Sequence, residues 1–127
     1  MLDRDPVYGE VDLGASAEEL SRLADAVVRG TGLLAATTTP SGNALTGIEV
    51  RTTPGPGVLV HYDSERQLLV IGGDAAARAV LAENVRDMAS ATEGGHLHVE
   101  YHPDHFYLAE GSVPLVVNSP HGGMPKR

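Results

Sequence analysis

The chain contains no cysteine. That excludes disulfide staples, thiolate nucleophiles and cysteine metal ligands. It has no tryptophan and a single phenylalanine. Leu, Val, Ile and Ala must therefore build the core, and an aromatic platform for stacking nucleic-acid bases is missing. Cations are also scarce, with 9 Lys and Arg against 17 Asp and Glu, a formal net charge of −8. A sequence pI near 5.0 argues against a phosphate-tracking surface, so no nucleic-acid partner is expected. The same charge suits a cationic protein or peptide, or simply keeps the chain soluble. No stretch of about 18 apolar residues occurs, so no membrane partner is expected. The opening MLDRDPVYGEVDLG has neither a basic region nor an apolar run, so no signal peptide is expected and a cytoplasmic location follows.

What remains is ordinary globular material. The 127 residues are 42% hydrophobic and 20% charged, enough for one core. The expectation is a single α+β domain over residues 1–117 with a flexible tail, NSPHGGMPKR, over 118–127. Val7–Leu13 reads as a strand. Ser16 with Glu19 fits a capping box, and Leu20, Leu23, Ala24, Val27 and Val28 form one helical stripe that Gly30 ends. A short strand is expected near Leu34–Thr38, and another over 48–52, where Ile48, Val50 and Thr52 alternate with Glu49 and Arg51. PGPG at 54–57 breaks it. Val58–Tyr62 and Gln67–Ile71 flank DSER as a hairpin. Asp74 caps a second helix over about 75–91, with Ala77, Leu81, Val85 and Met88 on its buried side. His96–Tyr101 and Val113–Val117 complete the strands, with further pairing around Phe106–Leu108.

VDLGASAEELSRLADAVV (11–28) and LVIGGDAAARAVLAENVR (69–86) align without gaps. The pattern suggests a β-α-β-β unit used twice, although strand-to-helix joints often look alike. The expected architecture is a mainly antiparallel sheet with two helices on one face and the other face open.

Chemistry concentrates in GGHLHVEYHPDH (94–105), which holds four of the six histidines. Strand alternation sends Leu97, Val99 and Tyr101 one way and His96, His98 and Glu100 the other. The same parity places Glu49, Arg51 and His61 on a polar face. His96 and His98 form an H-x-H pair that a third ligand, His61 or His102, would complete for zinc. Cupins follow such a pair with a glutamate at a spacing that neither Glu100 nor Glu110 matches, so no metal is assigned. Ser112 and Ser119 lack the G-x-S-x-G elbow of a hydrolase. Gly72-Gly73 has no phosphate-loop continuation, so no nucleotide cofactor is expected. HPDH (102–105) reads as a turn, with Pro103 and Asp104 at its centre. For acid–base catalysis the candidates are His98, Glu100, His61 and His102. For partner binding they are Glu49, Arg51, His61, His96, His98, Glu100 and Asp104.

The stretch GGHLHVEYHPDHFYLAEGSVPLVV (94–117) resembles the immunity protein 32 family of bacterial polymorphic-toxin immunity proteins. H-x-H-x-E-Y at His96, His98, Glu100 and Tyr101 carries the likeness, followed by Leu108, Gly111, Ser112, Leu115 and Val117. The preceding LLVIGGDAAARAVLAENVRDMA is similar too. The resemblance implies an α+β protein that binds a cognate toxin and performs no catalysis. The alternative is a small cofactor-independent enzyme that tailors a peptide such as a lanthipeptide, for example by forming lysinoalanine. Both readings need a surface for a protein or peptide, and exposed sheet edges would suit a homodimer.

Overall fold

A computed structural model describes residues 2–4, 10–35, 45–90, 96–101, 103, 105 and 107–118. Along the chain these form β1 (Leu2–Arg4), β2 (Val11–Gly14), α1 (Ala17–Arg29), β3 (Gly32–Ala35), β4 (Gly47–Thr52), β5 (Leu59–Asp63), β6 (Leu68–Gly73), α2 (Ala75–Ala89), β7 (His96–Val99) and β8 (Leu115–Asn118). Residues 119–127 of the expected tail lie outside the described residues, as do residues 7–9 and 36–38 of the expected strands.

Both helix starts follow from their caps. The Ser16 hydroxyl accepts from the Glu19 amide at 3.1 Å, and the Glu19 carboxylate accepts from the Ser16 amide at 2.8 Å. This is the reciprocal capping box expected from the sequence, and the Ser16 hydrogen bonds hold the Glu19 carboxyl below its ordinary range. Asp74 caps α2 by accepting from the Ala77 amide at 3.1 Å. Gly30 ends α1 at φ 80°, the left-handed conformation that glycine adopts freely. Of the expected α1 stripe, Leu20, Leu23, Ala24 and Val27 are buried. Val28 is 48% exposed and Ala26 is buried instead.

The strands do not make one sheet. They form two four-stranded sheets, one ordered β1-β2-β8-β7 and the other β3-β4-β6-β5. The outer pairings of each sheet are antiparallel, and the central ones, β2 with β8 and β4 with β6, are parallel. The chain runs β-α-β-β twice, as β2-α1-β3-β4 and β6-α2-β7-β8. Each run donates its last two strands to the sheet begun by the other. One cluster of buried residues draws on both sheets and both helices, with Leu20, Leu69, Ile71, Leu81 and Leu115 at most 1% exposed. A strap over residues 107–113 lies along β5: Val58 donates to Tyr107, Ala109 donates to Val58 and Val113 donates to Val60, at 2.7–2.8 Å. It blunts an edge that would otherwise be open.

A buried cation joins the halves. Arg78, on the first turns of α2, is 4% exposed. Its Nε donates to the Gly73 carbonyl at 2.9 Å, and its Nη1 donates to the Val27 and Val28 carbonyls at 2.7 and 2.9 Å. The last carbonyls of a helix lack partners within it and carry the negative end of its dipole. Arg78 therefore caps α1 from α2. The Thr52 hydroxyl adds a bond to the Gly30 carbonyl at 2.9 Å. A Cβ at Gly30 would lie 2.7 Å from the Arg78 guanidinium carbon and would also strike the Thr52 hydroxyl. The position in α1 that aligns with Arg78 is Leu20, which is wholly buried, so the clamp exists on one side only.

Arg78→Met should lower unfolding stability by about 3 kcal/mol, since buried carbonyls lose a charged donor. Urea denaturation will measure it. Lysine should not restore the loss, because a single ammonium cannot span Gly73 and the α1 terminus as the guanidinium fork does.

A cleft on the outer face of the second sheet

In the β3-β4-β6-β5 sheet, Val50, Val60, Leu69 and Ile71 face the core. The opposite face carries cross-strand rows set by register. One row runs Leu33, Glu49, Val70, His61, and the next runs Arg51, Gly72, Leu59. Gly72 leaves a gap in its row. The gap becomes the floor of a cleft of about 270 Å³ lined by Arg51, Thr53, Gly55, Pro56, Gly57, Leu59, His61, Val70, Gly72, Ala109 and Glu110. A Cβ at Gly72 would lie 3.0 Å from the Thr53 methyl group, so a side chain there would crowd the cleft's own wall.

The walls are fixed from below. Loop 53–57 is tied at one end by the Thr53 amide, which donates to the Gly73 carbonyl at 3.1 Å. At the other end the Gly57 amide donates to Asp74 Oδ1 at 2.7 Å. Asp74 thus caps α2 with one oxygen and anchors the loop with the other. Hydrogen bonds from Ala77 and Gly57 hold its carboxyl below its ordinary range. Gly55 has φ 77°, and a Cβ there would meet Asp74 Oδ1 at 2.5 Å. The far wall is the strap, where the Ser112 hydroxyl accepts from the Val60 amide at 3.1 Å and donates to the Ala109 carbonyl at 2.9 Å. Ser112 is committed to these backbone bonds and is not presented as a nucleophile.

Charge on this face is organised around Glu49. Its Oε1 accepts from Arg51 Nη2 at 2.9 Å and from Arg66 Nη2 at 2.7 Å. Arg66 Nε also reaches Asp63 Oδ2 at 2.7 Å. The Arg66 hydrogen bond, then that of Arg51, keeps the Glu49 carboxyl low. Arg66 does the same for Asp63, and the two carboxylates in turn push the Arg66 guanidinium upward. These pairs are solvent-exposed and add little stability singly, but they fix the direction of the Arg51 side chain. His61 is half-buried beside them. Its Nδ1 is buried and has no hydrogen-bond partner among the described residues, an omission that typically costs about 1–3 kcal/mol. A half-turn of the imidazole exchanges Nδ1 with a ring carbon.

The structure divides the expected site residues. Glu49, Arg51 and His61 share this face. His98 belongs to β7 in the other sheet, with Glu100 just beyond it, both exposed. His96 is the first residue of β7, and its side chain is outside the described residues, as are His102 and Asp104. The single open face expected to gather them is therefore corrected to faces on two sheets. Alternation within His96–Tyr101 holds, since Val99 is buried and Leu97 and Tyr101 pack on the core while His98 and Glu100 are exposed. Among the described residues no group of three His, Asp or Glu side chains could hold a metal. No helix there is long and apolar enough to cross a membrane. Sequence reasoning missed Thr53, Gly55, Gly57, Gly72 and Glu110, and its only signal for the loop was the PGPG run.

These features describe an α+β protein with a small, polar-rimmed cleft. A family model described as immunity protein 32 matches residues 69–120. The match spans β6, α2, β7, the strap and β8, which is the second β-α-β-β run. It supplies Val70, Gly72, Ala109 and Glu110 to the cleft, while Arg51, Thr53 and His61 come from outside it. No curated protein and no solved structure matches the chain.

Carboxyls held low in the fold keep their protons off more readily than in the unfolded chain. For Asp74, Glu49 and Asp63 the contribution is complete above the unfolded pKa, near 4, and is lost as pH falls through the lower folded pKa. Unfolding stability should thus decline on acidification below about pH 4.5. Asp74→Asn, which keeps an acceptor for the cap, should flatten part of that decline. Denaturation midpoints at several pH values will read this, and an unchanged slope would count against the Asp74 anchor.

Proposed function

We propose that the protein is an immunity-type inhibitor that binds a cognate toxin and masks it. The observation that carries this reading is the immunity protein 32 match over residues 69–120. Several features support it. The chain carries a net charge of −8, which favours association with a cationic protein surface. The outer face of the second sheet offers a mixed patch of Arg51, Arg66, Glu49 and His61 around a cleft, with Leu59 and Leu33 exposed beside it. Interfaces commonly combine an apolar centre with a polar rim. We place the contact there, with Glu49, Arg51 and His61 as its residues from the original candidate set. His98 and Glu100 form a second, separate polar surface. Peptide tailoring gains no support from the geometry, because His61 lies on one sheet and His98 and Glu100 on the other.

The test is co-expression with the toxin encoded beside this gene. Growth should be rescued, and the two proteins should co-elute as a stable complex. Arg51→Glu, which reverses charge within the patch, should weaken binding by at least tenfold, about 1.4 kcal/mol, when measured by calorimetry. Failure of the wild-type chain both to bind and to protect would overturn the reading.

A further inference from the structure

The cleft over Gly72 has a chemistry that specifies what enters it. Among the described residues, Arg51 spends only Nε and Nη2, both on Glu49 Oε1. A guanidinium has five N–H donors, so Nη1 remains for a ligand. The Thr53 hydroxyl makes no hydrogen bond among the described residues, and both its position and that of Arg51 are on the cleft wall. His61 contributes an imidazole whose Nδ1 is unpartnered. The Arg51 and Thr53 donors therefore flank a floor of Gly72 and Val70, and the His61 ring stands on the same lining with its Nδ1 buried. Between them the wall is apolar, formed by Pro56, Leu59, Val70 and Ala109. The one carboxylate is Glu110, exposed on the turn with Gly111. It lies on the cleft lining but outside the sheet.

We infer that the cleft seats a single acidic side chain of the protein partner, a glutamate or aspartate, whose carboxylate pairs with Arg51. The inference rests on the immunity-type reading for the identity of the partner only. The methylene stem packs on Leu59 and Val70, and the carboxylate accepts from Arg51 Nη1, the Thr53 hydroxyl and His61 after its ring turns. Turning the ring also gives the stranded Nδ1 a partner. At about 270 Å³ the cleft has room for one side chain. Glu110 on the lining disfavours a dianion such as phosphate and suits a neutral or basic residue flanking the seated acid. Planar recognition of a carboxylate is the task to which arginine is best matched.

The experiment uses the whole chain, without the toxin, so its outcome is independent of the immunity-type reading. The blocked residue N-acetylglutamate N-methylamide, whose one carboxylate is that of the side chain, is titrated at constant ionic strength while amide and imidazole signals are followed by NMR. Saturable shifts are expected at Thr53, His61 and Gly72, with an affinity in the millimolar range. The glutamine and lysine compounds blocked in the same way should produce none, and inorganic phosphate should bind more weakly. Arg51→Gln should abolish the response, whereas Arg22→Gln, which alters an exposed helix pair, should leave it intact. His61→Phe should weaken it several-fold. Equal shifts with the blocked glutamine, tighter binding of phosphate, or a response that survives Arg51→Gln would each overturn the proposal.

Discussion

The guanidinium of Arg78 is the joint on which the rest of the structure turns. A buried arginine is tolerated only when its donors are satisfied and its charge is opposed. Here the opposition comes from backbone: the Gly73 carbonyl and the last carbonyls of α1. The consequence is a fixed relation between the end of one β-α-β-β run and the start of the next. Gly30 must be glycine both for its positive φ and because a side chain would occupy the guanidinium's place. Thr52, at the end of β4, completes the cap.

The cleft is built from the same junction. The Gly73 carbonyl that receives Arg78 also receives the Thr53 amide, and Asp74 next to it holds Gly57. Loop 53–57 is thereby fastened at both ends to the β6–α2 turn. Gly72, one residue earlier, supplies the vacancy in the sheet face. Four consecutive functions thus fall on Gly72, Gly73, Asp74 and Arg78: floor, shared acceptor, anchor and clamp. The family match covers all four, while the charged wall of the cleft lies outside it.

Local features were readable in the sequence because local physics sets them. Ser16 with Glu19, Asp74 before an alanine-rich helix, Gly30 at a helix end and the β5–β6 hairpin depend on neighbours a few residues away. The two parallel pairings do not. Val11 lies beside Leu115, and Gly47 beside Leu68, and alternation says which face a residue takes but not which sheet it joins. That is why Glu49 and His98 read as neighbours and are not. Arg78 was hidden for a related reason. A charged residue beside the apolar stripe of a helix reads as solvent-facing, and its partners are carbonyls some 50 residues away, which leave no mark on the sequence. The histidine-rich strand drew attention by composition, whereas the cleft depends on absent side chains at Gly55, Gly57 and Gly72, and absence has little signature in a single chain.

Because the clamp and the cleft share one junction, they should loosen together. Amide hydrogen exchange of the Arg78→Met chain, compared with wild type under native conditions, tests this most directly. Protection should fall in concert at the end of α1, in residues 52–57 and at the start of α2, with the remainder of α2 little changed. Loss of protection confined to the first turn of α2, with residues 52–57 and the α1 terminus protected as before, would contradict it.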